Sequence, residues 1–319
     1  MSAVKKIIAI IGATGAQGGS VVNAILADSK MSSQWAVRGI TRDASKDSSK
    51  KLASQGVEVV TGDVSSKASM LAAFKGAYAV FAVTNYWETM DAKVEIEQGK
   101  NLADAALESG VQHFIWSSLP NVTEATKGHL KNVLHFDSKA AVEAYIRTTS
   151  LPATFFMPGF YMSNLPGQMF KPSPPNNAWT LGMPVPSSSP VPLLATLEDT
   201  GKFVKGILNH RSETLGKNIL AATKYYTFDE VVEVFKTVYP EAGKTAGYYE
   251  APHEVYLGWL KGAGLPDFAA QELLENMRLL NEGGYFAGQS LEWSSSLVDE
   301  PLTTWEEFIK KSKVFADLK

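Results

Sequence analysis

The sequence predicts an α/β protein with a doubly wound parallel sheet in residues 1–160 and a smaller, mainly helical C-terminal lobe in residues 161–319. Three observations lead to this prediction. Short apolar runs alternate with longer helical patterns in the first part, which is typical of right-handed βαβ units. A glycine-rich turn directly follows the first apolar run. After Pro158 the alternation stops, although later segments are expected to return to the first sheet.

Six apolar runs predict the strands of this sheet. The run Ile7–Ile11 is continuous and ends in glycine, as expected for a strand that is buried on both faces of a parallel sheet. The other predicted strands are Trp35–Thr41, Val57–Thr61, Ala77–Val83, Phe114–Ser118 and Ala153–Met157. The predicted helices between them are Gly18–Ala27, Ser45–Gln55, Val94–Ser109 and Lys131–Thr149.

The C-terminal lobe has a less regular pattern. The proline-rich segment Pro166–Pro192 is expected to be rich in loops but ordered, because large apolar residues such as Phe170 and Trp179 interrupt it. Thr227 and Glu230 have the spacing of a capping box before the apolar helix Val231–Val238. We expect this lobe to pack over the carboxyl edge of the sheet and to leave a cleft for a small ligand.

Composition excludes several classes of protein and site. A net charge of -3 gives no electrostatic footprint for direct binding to nucleic acid, although a protein partner that binds DNA stays open. The absence of cysteine excludes disulfides and thiolate sites, and no histidine or carboxylate spacing indicates a metal site. No apolar stretch is long enough to span a membrane. We therefore expect a cytoplasmic protein and leave nuclear entry open.

The glycine-rich turn is the main candidate for ligand binding. Gly12 can make a tight turn, Gly15 allows a pyrophosphate to approach the backbone, and Gly18 allows the following helix to pack closely on the strand. The amides and the dipole of that helix would face the phosphates. The candidate cofactor-binding residues of the turn are Gly12, Thr14, Gly15, Ala16, Gln17 and Gly18. The turn therefore predicts a dinucleotide site; the alternative is a structural turn whose site has decayed.

The end of the second predicted strand bears on the choice of dinucleotide. NAD-binding proteins usually place an acidic residue there, which holds the ribose 2′-hydroxyl. Here Arg42 stands at that point, with Lys46 close by, and a guanidinium matches a 2′-phosphate. Asp43 weakens this argument, and Arg42 could instead be a solvated surface residue. We favour NADP(H) over NAD(H).

Further candidates follow the later strands. Asp63, after the third strand, is expected to line the adenine or else to cap a turn. Thr84, Asn85 and Tyr86 follow the fourth strand, at the edge where open α/β sheets bind ligands, although Tyr86 could belong to the core between the lobes. Ser117 ends the fifth strand and could orient a substrate. Pro158 and Phe160 are expected to shape the nicotinamide end of the site.

Four motifs together resemble the NmrA-like family of atypical short-chain dehydrogenase relatives. They are the turn that begins at Gly12, Thr84–Glu88, His135–Lys139 and Pro158–Tyr161. The resemblance covers residues 5–165 and is strongest to the branch of NADPH sensors. It implies a Rossmann fold, a bound NADP(H) and a redox-sensing role that extends to transcriptional regulation through a protein partner.

The usual catalytic pair of short-chain dehydrogenases is missing. They carry Tyr-x-x-x-Lys on one helix face, where the tyrosine is the general acid or base and the lysine also binds the nicotinamide ribose. None of the eleven tyrosines has a lysine four residues later. The position that matches the tyrosine holds His135, and Lys139 follows at the correct spacing.

The missing tyrosine leaves three interpretations. The first is a regulatory protein that senses NADP(H) without turning it over, and we expect this one. The second is an NAD(P)H-dependent oxidoreductase for a small carbonyl compound in which His135 replaces the tyrosine, since imidazole titrates near neutral pH. The third is a scaffold with a vestigial site.

Overall fold

The computed structural model describes residues 4–318. The strands in chain order are β1 (Lys6–Ile11), β2 (Trp35–Thr41), β3 (Glu58–Thr61), β4 (Ala79–Ala82), β5 (His113–Ser117), β6 (Ala153–Pro158), β7 (Phe160–Tyr161), β8 (Phe170–Ser173), β9 (Ala178–Met183), β10 (Pro190–Leu194), β11 (Asn218–Ala221), β12 (Lys224–Thr227) and β13 (Gly247–Glu250). The six strands predicted for the first sheet are confirmed, with ends that differ by a few residues.

The helices alternate with these strands in the first half and are more numerous in the second. In chain order they are α1 (Ala16–Ala27), α2 (Ser29–Gln34), α3 (Asp47–Ser54), α4 (Lys67–Phe74), α5 (Ala92–Glu108), α6 (Val122–Ala125), α7 (Leu134–Arg147), α8 (Thr196–Asn209), α9 (Arg211–Thr214), α10 (Phe228–Val238), α11 (Pro240–Gly243), α12 (His253–Gly262), α13 (Asp267–Glu282), α14 (Glu292–Ser296) and α15 (Trp305–Lys311). The predicted capping box of Thr227 and Glu230 starts α10.

The main sheet has seven parallel strands in the order β11-β6-β5-β4-β1-β2-β3. The chain builds outward from β1 in one direction, then returns and builds from β4 in the other. The order therefore reverses between β1 and β4, and the crevice at this point is where doubly wound sheets bind ligands. The predicted fold class is confirmed. Strand β11 comes from the second half of the chain and completes the edge beside β6.

Helices cover both faces of the sheet. On one face, α1 and α8 pack so closely that Gly201 donates its amide hydrogen to Ser20 Oγ at 2.9 Å. A Cβ at Gly201 would stand 2.3 Å from Ser20 O, so only glycine fits there. On the other face, α5 packs against α4 and α7, with Phe74, Leu102 and Val142 in the buried layer. Both faces of the sheet are buried under helices, which explains why the strands consist of nearly continuous runs of apolar residues.

The C-terminal part shares an apolar core with residues 119–136, and this core includes Phe170, Phe235 and Trp305. Two small sheets, β12-β10-β7 and β13-β9-β8, join its helices. The segment 166–192, expected to be rich in loops, contributes three of these strands. At Pro190 and Pro192, β10 pairs with β12 along one edge, and its pairing with β7 along the other edge begins at Leu193. The two prolines are therefore tolerated because the edge toward β7 is not yet paired at these residues. Within residues 4–318, no helix has the length and apolar character needed to cross a membrane.

Candidate functional site

The glycine-rich turn links β1 to α1 in a conformation that depends on glycine. Gly12 has a φ of 66°, which lies in the left-handed region, and its carbonyl accepts a hydrogen bond from the Gly15 amide at 2.8 Å. A Cβ at Gly18 would stand 2.3 Å from Gly12 O. Helix α1 begins without a side-chain cap, since its N-cap is Gly15. Its first amides are therefore free to bind an anion, which fits a pyrophosphate.

A cleft of about 420 Å³ opens at this turn, between the carboxyl ends of β1 and β4 and the C-terminal helix α13. Most of the predicted site residues line it: Gly12, Gly15, Ala16, Gln17, Gly18, Thr84, Asn85, Tyr86, His135, Lys139, Pro158 and Phe160. The part of the cleft near His135 is also lined by Trp87, Tyr161, Asn276 and Tyr285. The structure thus brings motifs that are far apart in sequence into one cavity.

The other predicted residues lie outside this cleft. Thr14 is exposed at the tip of the turn. Arg42 lies at the surface, with its side chain 70% exposed, and pairs with Glu88. Lys46 is exposed at the N-terminus of α3, and Asp63 is exposed after β3, where its carboxylate accepts the Ser65 amide hydrogen at 2.9 Å. The role of these residues toward an adenosine stays a prediction.

Ser117 lies buried below the cleft and acts on it through Gln17. The Ser117 hydroxyl donates to Gln17 Oε1 at 2.8 Å, and Gln17 Nε2 donates to the Tyr161 hydroxyl oxygen at 2.6 Å. This series of hydrogen bonds holds the phenol of Tyr161 in the cleft. The hydroxyl hydrogen of Tyr161 is then able to donate to a ligand. Burial raises the pKa of Tyr161, so the phenol stays neutral near pH 7.

Lys139 reaches the cleft from α7 and is held by a buried carboxylate. Its ammonium pairs with Glu95 and donates to Thr84 O at 3.2 Å and Thr84 Oγ1 at 3.1 Å. Glu95 also accepts from Ser138 and, at 2.7 Å, from Thr84 Oγ1. Burial lowers the pKa of Lys139, and the Glu95 carboxylate opposes that effect. Lys139 is thus fixed in position but has its charge largely balanced.

His135, one turn earlier on α7, is held by a second buried carboxylate. Glu272 on α13 accepts three hydrogen bonds: from the His135 amide at 2.7 Å, from His135 Nδ1 at 2.6 Å and from the Tyr86 hydroxyl at 2.8 Å. Because the Glu272 carboxylate can only accept hydrogen bonds, the imidazole carries a proton on Nδ1, which leaves Nε2 as the second ring nitrogen. Nε2 can accept a proton, and it can donate one when the ring carries both protons.

Aromatic side chains surround this imidazole. The ring centroids of Trp87, Tyr86 and Phe136 lie 4.9 Å, 5.9 Å and 4.8 Å from that of His135. Tyr285 packs edge-on against Phe136, with ring centroids 5.3 Å apart, and its hydroxyl donates to Pro158 O at 3.2 Å. Burial, followed by the hydrogen bond to Glu272, raises the pKa of Tyr86, which stays a neutral donor. The end of the cleft at His135 is therefore lined largely by aromatic rings.

The sequence did not identify the carboxylates of Glu95 and Glu272 or the amide of Asn276 as parts of this site. Glu95 lies in an amphipathic helix, where it looks like any solvated acid, yet it is 1% exposed. Glu272 and Asn276 lie in α13, for which the sequence predicts no site. The i, i+4 spacing of Glu272 and Asn276 was the only available signal, and it becomes meaningful only when the helix faces the cleft.

A second cavity, of about 440 Å³, lies on the far side of Leu119. Its Glu143 carboxylate accepts hydrogen bonds from Ser118 and Arg147, and the Arg147 guanidinium also donates to Gly216 O at 2.9 Å. These charged groups hold each other and the end of α7. We therefore assign this cavity a structural role and place the candidate active site at the glycine-rich turn.

Sequence comparison connects the chain to one family. A family model described as the NmrA-like family matches residues 4–309. The NmrA-like family domain-containing oxidoreductase cpsB of Aspergillus campestris is 31% identical over 307 residues, which cover 90% of this chain and 87% of that protein. The similarly described oxidoreductase FrzB of Cladobotryum sp is 31% identical over 306 residues, with 90% and 88% covered.

Solved structures show the same fold. NmrA, a negative transcriptional regulator, in complex with NADP superposes with a TM-score of 0.79 at 21% identity and covers 96% of this chain and 95% of its own. A complex of NmrA with NAD gives a TM-score of 0.78 at 21% identity, with the same coverage. The Citrobacter sp. triphenylmethane reductase complexed with NADP(H) gives a TM-score of 0.74 at 23% identity, covering 95% and 99%.

Proposed function

Because this chain belongs to the NmrA-like family, we propose that its cleft binds a nicotinamide dinucleotide, with NADP(H) preferred, and that it is an NAD(P)H-dependent oxidoreductase for small carbonyl compounds. The observation that carries the proposal is the imidazole of His135, which lines the cleft and is held at Nδ1 by Glu272. The curated relatives described as oxidoreductases support this order of interpretations. It reverses the order that we expected from the sequence.

The cofactor would lie along the cleft from the glycine-rich turn to His135. The amides at the start of α1 would bind the pyrophosphate, and the narrow space at Gly18 keeps that helix close to the turn. The NADP and NAD complexes of structural relatives support a dinucleotide of either type. Arg42 would recognise a 2′-phosphate, and its side chain would then pair with the phosphate instead of with Glu88.

In the proposed reaction, a dihydronicotinamide held in the cleft would supply the hydride for reduction of a substrate carbonyl. The carbonyl oxygen takes a proton from Nε2 of the protonated His135, so an alcohol forms and the imidazole becomes neutral. The Nδ1 proton stays on the ring because the Glu272 carboxylate holds it. Glu272 therefore positions the acid through Nδ1, and it does not contact the substrate itself.

A regulatory protein that senses the cofactor is the second candidate. The observation in its favour is that Glu95 and Thr84 hold the ammonium of Lys139, which in dehydrogenases is available to the ribose and the tyrosine. In this case the protein would bind NADP(H) and NADP⁺ with different affinities and pass the difference to a protein partner through a change of conformation. A small ligand in the cleft is compatible with both candidates.

Two measurements separate the candidates. Calorimetric titration with NADP⁺, NADPH, NAD⁺ and NADH tests the shared premise, and no binding at millimolar concentration would refute it. Oxidation of NADPH with a panel of aromatic aldehydes, ketones and quinones then tests the enzyme. We expect turnover that falls at least 100-fold in His135→Gln. The surface variant His210→Gln is the matched control, and Tyr161→Phe tests whether the phenol shares the role. Tight binding without turnover would favour the sensor.

A further inference from the structure

One polar group in the cleft has no role in the network described above. Asn276 on α13 is 6% exposed and lines the cleft, and its Nδ2 has no hydrogen-bond partner among the described residues. An unpaired buried amide destabilises the fold, because it has given up hydrogen bonds to water without replacing them. Buried polar groups of this kind are rare enough in proteins to require an explanation.

The position of Asn276 relates it to the reactive group. It follows Glu272 by one helical turn, so both side chains project from the same face of α13. Since Glu272 contacts His135 directly, Asn276 borders the same end of the cleft. The neighbouring Glu275, by contrast, is fully engaged with Asn132 and Gln271. The unpaired amide is thus specific to the side of the helix that faces the cleft.

The charges around this end of the cleft limit what can bind there. Among the described residues that line it, only His135 and Lys139 can carry a positive charge. Each is held by its own buried carboxylate, Glu272 and Glu95 respectively. A substrate carboxylate or phosphate would lose its hydration without gaining an unpaired cation. The aromatic rings of Phe136, Tyr285 and Trp87 instead offer an apolar surface.

We propose that Asn276 forms a substrate subsite for uncharged aromatic or conjugated carbonyl compounds and donates a hydrogen bond from Nδ2 to a second, neutral acceptor oxygen of the substrate. This inference rests on the proposed oxidoreductase function and names its substrate class. Asn276 selects the substrate by its acceptor oxygen, while His135 acts on the reacting carbonyl. A site that hydrogen-bonds a substrate group rejects analogues that lack this group, since its own polar atom is then left unpaired.

The test measures equilibrium binding to the protein saturated with NADP⁺, followed by calorimetry and by the intrinsic tryptophan fluorescence, to which Trp87 of the cleft contributes. The probes are 1,4-diacetylbenzene, 4-isopropylacetophenone, which lacks the second acceptor, and 4-acetylbenzoate, which carries a charge. Wild-type protein should bind diacetylbenzene roughly 3- to 10-fold more tightly than the isopropyl probe, and the carboxylate most weakly. Asn276→Leu should remove the preference for diacetylbenzene. Asn281→Leu, at an exposed position of the same helix, should leave it unchanged.

A stability measurement gives a second readout, which does not depend on turnover. Asn276→Leu should raise the melting temperature, because it removes an unpaired buried amide, while the affinity for NADP⁺ stays within twofold. Asn276→Asp keeps the size of the side chain but lacks the donor, so it too should lose the preference. Unchanged discrimination in both variants, or no binding of any probe at millimolar concentration, would overturn the subsite. Loss of NADP⁺ binding by the wild type would instead refute the proposed function.

Discussion

The two walls of the cleft are built in different ways. The glycine-rich turn is made by consecutive residues, and its shape follows from backbone sterics at Gly12 and Gly18. The opposite wall carries His135 and Lys139, which lie one turn apart on α7 but are held by Glu272 and Glu95 from distant helices. In the proposed function, the first wall would bind the pyrophosphate that all dinucleotides share, whereas the second would hold the groups that decide the chemistry.

This difference predicts that the two walls respond differently to substitution. The glycine-rich turn tolerates few substitutions, since a Cβ at Gly18 would stand 2.3 Å from Gly12 O. Glu272 and Asn276 lie on α13, an element separate from the turn, so we expect that these side chains can change without disturbing the turn. We therefore expect that substitutions in the second wall alter reactivity and specificity, and that substitutions in the first alter binding of the cofactor.

Glu272→Gln should have the largest effect and would break the second wall. The amide nitrogen of glutamine would face donors from His135 and Tyr86, so buried donors would be left unpaired. We expect a loss of about 3–5 kcal/mol in the free energy of unfolding and at least 100-fold in turnover. Urea denaturation and NADPH oxidation measure the two, with the exposed Glu254→Gln as control. Unchanged turnover would remove Glu272 from the mechanism.

Gly18→Ala tests the first wall. The new methyl group would stand 2.3 Å from Gly12 O and 2.6 Å from Gly12 C, and neither backbone atom can move away without opening the turn. We expect a loss of about 3 kcal/mol in stability and at least 10-fold in dinucleotide affinity, measured by thermal unfolding and calorimetry. Gly258→Ala is the control, because nothing lies within 4 Å of its Cβ. If Gly18→Ala binds NADP⁺ normally, the turn is not the cofactor site.

A second buried histidine, which lies outside the cleft, makes the stability of the protein depend on pH. His113 on β5 contacts Thr154 Oγ1 at 2.8 Å, and burial lowers its pKa from 6.5 to about 3. The unfolded chain therefore binds more protons than the folded chain between these values, and stability falls as the pH drops below 6.5. Between about pH 8 and about pH 5, we expect this residue to cost about 2 kcal/mol.

The measurement compares the wild type with His113→Leu, which cannot titrate. Urea denaturation across this range should show a smaller loss of stability in the variant. Equal losses in the two proteins would mean that His113 is protonated in the folded state.

Arg42→Ala should give the smallest effect and tests the preference for NADP(H). The side chain is exposed and paired with Glu88, so its contact to a 2′-phosphate would be partly screened. We expect NADP⁺ affinity to fall roughly tenfold and NAD⁺ affinity to change less than twofold. Glu88→Gln should have the opposite effect on NADP⁺, since it removes the competing carboxylate. Equal losses for both dinucleotides in calorimetry would refute the assigned role.

Local patterns were sufficient for the sheet and for the helices around it. The apolar runs before Gly12 and at residues 79–82 became β1 and β4 because strands buried on both faces must be apolar throughout. The strands β8, β9 and β10 were not foreseen. Their prolines suggested loops. The extended backbone is stabilised by the pairing of β8 with β9 and by the pairing of β9 and β10 with β13 and β12 from later segments.

The sequence by itself determined the sheet, the turn at residues 12–18 and the replacement of tyrosine by His135, because each depends on neighbouring residues and on steric rules. Only the tertiary structure decided that Glu95 holds Lys139, that Glu272 holds His135 and that Asn276 faces the cleft unpaired. These contacts join residues from separate helices, so their energies depend on distances that no local pattern encodes. The side-chain contacts in the cleft therefore follow from tertiary packing, while the shape of the glycine-rich turn follows from the local sequence.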